Sequence, residues 1–192
     1  NKLNINFLSS VFSIPDAKLL VDLGIEEVKI PSFESRNKEL IEFCDKSFKN
    51  VFMSCGTSTL DEVKKSISYF KSSTLYLMHC VSVYPGSYEI ANLPKMRALM
   101  SLHEKVGYSD HIVGVESAKI AIGEGAVVVE KHFTTDNDLP GRDNKFAILP
   151  KDMKNLTHYI KNRESMLIST GMGINPNEED SRINYAGRFD KK

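Results

Sequence analysis

Two histidines, His111 and His132, each follow a short apolar run of the kind that forms a buried strand, and roughly one βα repeat separates them. A neutral imidazole carries a nitrogen lone pair suited to a proton or a metal ion. Neighbouring parallel strands would deliver the pair at their C-terminal ends, where α/β folds bind ligands. Two such donors with few carboxylates nearby suit a borderline cation such as Mn²⁺, Zn²⁺ or Co²⁺, with positions left open for substrate. The stretch that holds them, Val106 to Asp143, reads VGYSDHIVG, a helix-like run, then AVVVEKHFTTDNDLPGRD.

Polar residues collect in the same way wherever an apolar run ends. Ser9, Ser10 and Ser13 follow the first run; Lys29 lies in the second and Ser32 just after it. Ser54 and Gly56 follow the third in SCGTST, and His79, Ser82 and Tyr84 mark the fourth in HCVSVYPG. Ser109, Asp110 and His111 end the fifth, and Glu130, Lys131 and His132 the sixth. Core strands have no structural need to end this way each time. Hydroxyls, glycines and a lysine suit an anionic oxygen ligand, a phosphate or carboxylate, with helix N-termini adding backbone N–H groups. Lys29 sits in an apolar strand, where an unpaired ammonium is costly, so an anionic partner is expected.

Each residue also has a bland reading. Ser32 and Ser54 fit simple strand-end turns, Asp110 a loop cap, and Tyr84-Pro85-Gly86 a plain turn. His103 and His158 fall on helices and read as surface residues. His79 and Cys80 are adjacent, so they point to opposite faces of a strand and cannot both face one metal. Cys80 is read as core and His79 is left open; Glu130 and Lys131 likewise face opposite ways. No Ser-His-Asp elbow, Walker A loop or GxGxxG is present.

The elements that must position these groups alternate. Strands are expected at Asn4–Ser9, Glu27–Ile30, Asn50–Ser54, Thr74–Cys80, Lys105–Ser109 and Ala126–His132. Helices are expected at Asp16–Leu23, Asn37–Lys46, Ser58–Phe70, Leu93–His103, Glu116–Glu124 and Pro150–Arg163. Near-continuous apolar strands indicate burial on both faces, and βα alternation with short loops indicates a parallel α/β fold. A complete TIM barrel has eight units in about 250 residues. Six units imply an open doubly wound sheet or an incomplete barrel. Residues 1–164 are read as that domain, and residues 165–192, polar and without sustained periodicity, as a tail or linker.

The 192 residues are 41% hydrophobic, enough for a sizeable core, and 25 basic residues balance 25 acidic ones. That balance, with no basic patch, argues against nucleic acid or membrane surfaces as partners. The longest apolar run is far short of a membrane span, and no signal-peptide pattern opens the chain. Three irregularly spaced cysteines, Cys44, Cys55 and Cys80, fit a reduced cytoplasm better than a disulfide framework. Position 1 is Asn, so an upstream segment is expected.

KIPSFE, SCGTSTLDEV, HCVSVYPG, GYSDHIVG and EKHFTTDNDLPGRD, in this order, resemble the sialic acid synthase family, over about residues 5 to 160. The family includes N-acetylneuraminate, legionaminic and pseudaminic acid synthases and spore-coat polysaccharide enzymes. Single motifs are weak; SDH followed one βα unit later by EKHFT and PG-x-D is specific. The resemblance implies a TIM barrel that condenses phosphoenolpyruvate with an N-acylated amino sugar such as N-acetylmannosamine. Phosphate is released and a nine-carbon 2-keto sugar acid forms. It implies a divalent metal, Mn²⁺ before Mg²⁺ or Co²⁺, on His111 and His132. Lys29, Ser10, Ser32, Ser54 and Ser109 match the residues that grip phosphoenolpyruvate. Ser10 stands where many members have Thr, and Ser82 where some have Asn. Tyr84 and Asp143 fall on the sugar-facing side, and Glu130 beside the metal histidine. His111, His132 and Lys29 are then the catalytic candidates.

Two features of the family have no counterpart here: its first two βα units, and a C-terminal antifreeze-like domain that lends an arginine across a homodimer. The chain is therefore expected to be about six of eight βα units of a barrel, weak or inactive by itself, and cytoplasmic. Two other readings stand beside this one. One is a different phosphoenolpyruvate-dependent keto-deoxy sugar acid synthase, and the other a non-catalytic barrel fragment serving as an oligomerisation module.

Overall fold

A computed structural model describes residues 4–189. Five parallel strands form one sheet in sequential order: β1 (Glu27–Ile30), β2 (Asn50–Ser54), β3 (Thr74–Cys80), β4 (Val106–Asp110) and β5 (Val129–Lys131). Helices α1 (Ile14–Asp22), α2 (Lys38–Ser47), α3 (Leu60–Ile67), α4 (Leu93–Met100) and α5 (Glu116–Gly123) alternate with them, and α6 (Pro150–Met166) follows β5. Helix starts follow their caps. The Asn37 side chain accepts from the Leu40 N–H at 3.2 Å, and Thr59 and Glu62 form a reciprocal capping box at α3.

The core lies between the sheet and α1 to α5. Val28, Ile30, Val51, Met53, Leu77, Val106 and Tyr108 project from the strands onto Leu40, Ile41, Val63, Met96 and Leu99 of the helices, all buried. Gly107 is required where β4 passes the segment before β5. A Cβ there would stand 2.4 Å from Val128 Cγ1 and 2.6 Å from its carbonyl oxygen. Asp45 of α2 is buried and accepts the backbone N–H groups of Lys71, Ser72 and Ser73, fixing the entry to β3.

The bounds expected for β1, β2 and β3 match those observed. The strand expected at Asn4–Ser9 does not form. Only an isolated parallel bridge joins Ser10 to Lys29, and Ile5 and Phe7 stay exposed. Largely exposed, that segment gains too little burial to hold an extended ladder. The sheet therefore has five strands among the described residues. The run at Ala126–His132 yields a ladder only from Val129, on an edge strand.

Residues Lys161–Lys192 make up a second unit. Within it an Asn175–Glu178 capping box starts a short turn, and α7 (Glu179–Tyr185) follows with no buried residue. Among the described residues no helix is long and apolar enough to cross a membrane.

Candidate active site at the strand ends

Register and alternation together decide which side chains meet. Lys29 pairs with Phe52, which places Ser54, two residues on, on the same face of the sheet. Ser54 pairs with Met78, so Cys80 joins that face; Cys80 pairs with Ser109, and Ser109 with Glu130. His111 and His132 lie one further step along the same rows. These residues, with Ser10, Ser32, Tyr84 and Asp143, line a cavity of about 430 Å³ at the C-terminal ends of the strands. Of the site residues expected from sequence, only Ser82 is outside the lining; its Oγ lies 3.7 Å from Cys80 Sγ at the margin.

Cys80, read as core, is buried and also borders the cavity, whereas His79, left open by the sequence, turns to the helix side. There it is fully buried, Nε2 lies 2.8 Å from the Ala91 carbonyl oxygen, and the ring stacks on Tyr108 at 5.5 Å. Desolvation holds its pKa below the usual histidine value.

Lys29 finds its anion within the chain. Its Nζ donates to Glu130 Oε2, joining the first strand to the fifth. In a flat sheet those strands would lie about 19 Å apart at about 4.8 Å per step. Contact between them requires the sheet to curl, so the cavity is the hollow of a half-barrel. Burial pushes the Glu130 carboxyl up, but the Lys29 ammonium overrules it and holds it below the ordinary carboxylate range, with help from the Ser109 side chain. Glu130, 101 residues away in the chain, is thus one anionic partner of Lys29, whose ammonium also borders the cavity.

The histidine rings lie 5.3 Å apart between centroids. Tyr84 packs on His111 at 4.2 Å, and Phe146, which sequence reasoning did not single out, packs on His132 at 5.0 Å. His111 Nδ1 lies 3.8 Å from Cys80 Sγ, and His132 Nδ1 lies 3.7 Å from Asp143 Oδ2. Burial first, then the neighbouring His132, pulls the His111 pKa down to about 4. His111 is therefore neutral near pH 7 and keeps a lone pair for a cation. His111 and His132 are the two side chains that would hold a divalent cation here. Among the described residues no cluster of three or more His, Cys, Asp or Glu side chains is arranged for a metal. A cation here would take two protein donors and fill its other positions from substrate and water.

The hydroxyls complete the hollow. Ser32 Oγ accepts the Gly56 N–H at 3.1 Å. A Cβ on Gly56 would stand 2.4 Å from Ser82 Oγ and 2.7 Å from Ser32 Oγ, so only glycine leaves this corner open. Ser54 Oγ is buried and has no hydrogen-bond partner among the described residues. A buried hydroxyl without a partner is uncommon, and one facing a cavity is a ready donor to an anionic oxygen. Lys131 and Asp110 form a fully buried ion pair at 3.0 Å beneath the histidines, which sequence reasoning also missed.

Comparison with known proteins agrees with the resemblance seen in the sequence. The NeuB family model matches residues 1–173. The N,N'-diacetyllegionaminic acid synthase of Legionella pneumophila is 38% identical over 175 residues, covering 87% of this chain and 49% of that protein. The pseudaminic acid synthase of Helicobacter pylori is 32% identical over 189 residues, covering 96% of this chain and 56% of its own. A crystal structure of N-acetylneuraminic acid synthetase from Leptospira borgpetersenii, in complex with citrate, superposes with a TM-score of 0.86 at 33% identity. It covers 100% of this chain and 68% of that one. The chain spans about half the length of the curated relatives it matches. It belongs to the NeuB family.

Proposed function

We propose that this NeuB-family chain carries the barrel active site of a nonulosonic acid synthase. The reaction joins C3 of phosphoenolpyruvate to the aldehyde carbon of an N-acylated amino sugar, adds water at C2 and releases phosphate. The observation that supports it most is the convergence of Lys29, Ser54, Ser109, His111 and His132 on one face of a curled parallel sheet, around a buried hydroxyl with no partner among the described residues. The names of the relatives, legionaminic and pseudaminic acid synthases, point the same way.

In this reading Lys29 and the hydroxyls of Ser10, Ser32, Ser54 and Ser109 hold the phosphate and carboxylate of phosphoenolpyruvate. Their fixed placement supplies orientation and charge stabilisation. Tyr84, Asp143 and Ser82 stand at the side where the sugar enters. His111 and His132 would hold a divalent cation, Mn²⁺ before Mg²⁺ or Co²⁺, whose chemistry is Lewis-acid polarisation of the aldehyde oxygen. The five strands would form part of an eight-stranded barrel in the whole protein, acting in the cytoplasm as a homodimer.

Titration calorimetry with phosphoenolpyruvate and Mn²⁺ tests the reading. His111→Ala and His132→Ala should abolish Mn²⁺ binding, and Lys29→Met should weaken phosphoenolpyruvate at least about tenfold, the loss of one charge-assisted hydrogen bond. Unchanged binding in all three variants refutes it. Comparing keto-acid formation from N-acetylmannosamine and from arabinose 5-phosphate separates this synthase from a keto-deoxy sugar acid synthase.

A further inference from the structure

The two histidines are each preceded by a charged residue, Asp110 and Lys131, and these two are direct register partners in the β4–β5 ladder. Both residues border the cavity, but by alternation their side chains leave the sheet on the face opposite the histidine rings, toward Ser117 of α5. There Lys131 Nζ lies 3.0 Å from Asp110 Oδ2, and the two side chains are 3% and 0% exposed. Asp110 Oδ2 also accepts from Ser117 Oγ at 2.7 Å, at the start of α5, and Oδ1 accepts from the Ile112 N–H at 2.9 Å. Lys131 Nζ donates in addition to the Ile112 carbonyl oxygen. The backbone on both sides of His111 is therefore held by one carboxylate and one ammonium.

A buried ion pair is weak evidence for stability, since desolvation of both charges offsets their attraction. Where such a pair is found, fixing geometry is the better-attested use. We propose that Asp110 and Lys131 are positioning residues: a cross-brace behind the sheet that sets the separation of the His111 and His132 rings for a shared divalent cation. The proposal rests on the metal reading given above. It accounts for the composition of SDH and EKH, in which the histidine is the ligand and the residue before it is the brace. Ser117 and the Ile112 backbone anchor the brace to α5 and to the loop, so neither strand end can shift without breaking several charge-assisted bonds.

The test uses the whole chain and Co²⁺ alone as probe, followed by calorimetry and by the visible absorption of the bound ion. The variants are Asp110→Asn, Lys131→Met, Lys131→Arg, His111→Ala and His132→Ala, each with its metal-free urea midpoint measured. Asp110→Asn and Lys131→Met should weaken Co²⁺ about 10- to 100-fold, the usual effect of removing a residue that orients a ligand. Their absorption at saturating Co²⁺ should differ from the unmodified chain, which a loss of stability alone would not cause. Lys131→Arg, which keeps the cation, should recover most of the affinity. No Co²⁺ binding by the unmodified chain, or equal binding by the histidine variants, overturns the metal reading and the brace with it. Binding lost in the histidine variants while Asp110→Asn and Lys131→Met keep wild-type affinity and spectrum overturns the brace alone. If Asp110→Asn does not fold, the Lys131 pair of variants decides the matter by the same criteria.

Discussion

Replacing Glu130 with Gln leaves the Lys29 ammonium in the hollow of the sheet without its partner. The two members of the pair are unequally placed: the Lys29 side chain is 7% exposed and that of Glu130 43%. Breaking a wholly buried pair costs about 3–5 kcal/mol, while exposed pairs contribute at most about 1. Water reaches one side of this one, so about 2 kcal/mol is expected for Glu130→Gln. For a chain of this size that is a fall of about 4–8 °C in Tm. Lys29→Met should cost less, about 1 kcal/mol, because the stranded Glu130 can hydrate. The double variant should fall short of the sum of the single losses, with a coupling of about 2 kcal/mol in a double-mutant cycle. The pH dependence has a definite sign. The Glu130 carboxyl is held below its ordinary value, so its contribution is complete above the unfolded carboxyl pKa of about 4.3 and is lost as pH falls through the lower folded value. The gap between wild type and Glu130→Gln should therefore close in acid. Urea or thermal unfolding between pH 3 and 7 reads all of this. Coupling below about 0.5 kcal/mol, or a gap that widens in acid, would show that the pair does not hold the sheet closed.

Ser54→Ala should leave the ligand-free chain as stable as before or about 1 kcal/mol more stable in urea, since it removes a buried hydroxyl with no partner among the described residues. The same change should lower phosphoenolpyruvate affinity about tenfold in calorimetry. Asp45→Ala should cost about 3 kcal/mol in urea unfolding by stranding the N–H groups of Lys71, Ser72 and Ser73. Burial pushes the Asp45 carboxyl up, but these bonds outweigh it and hold it low; its contribution fades as pH falls through the depressed folded value, so the variant's deficit should shrink in acid. Gly107→Ala drives a methyl into Val128 and should lower Tm sharply or prevent soluble expression, while Gly123→Ala, whose nearest contact is 3.5 Å away, should do neither.

Period and caps made much of this architecture legible. Continuous apolar runs bounded by turn residues located β1 to β3 to the residue, and the helices expected from Asn37 and from Ser58 form as α2 and α3, starting at Lys38 and Leu60. The N-terminal run misled because Ile5, Phe7 and Leu8 carry strand-forming character, but among the described residues of that segment only Ser10 makes a bridge to the sheet. At His79 and Cys80 alternation said only that they part. Choosing between them needed the register of β3 against Ser54 and Ser109, which depends on tertiary pairing. The gathering of polar groups at strand ends was visible, whereas the pairing of Lys29 with Glu130, 101 residues away, and of Lys131 with Asp110 left no local trace. A lysine in an apolar strand signals that some anion is required; it does not say which one.

The sequential order of the strands has a kinetic meaning. Each pairing from β1 to β5 joins neighbours in the chain and closes a loop of about one βα unit, so the sheet can grow by short steps without a costly early closure. The Lys29–Glu130 contact is the exception, since it can form only once the intervening strands have stacked and curled. Such a late contact contributes little to the barrier on the way in. Its removal should leave the refolding limb of a chevron nearly unmoved and appear almost wholly as faster unfolding, so the first and last strands act less as a nucleus than as a latch on the finished hollow.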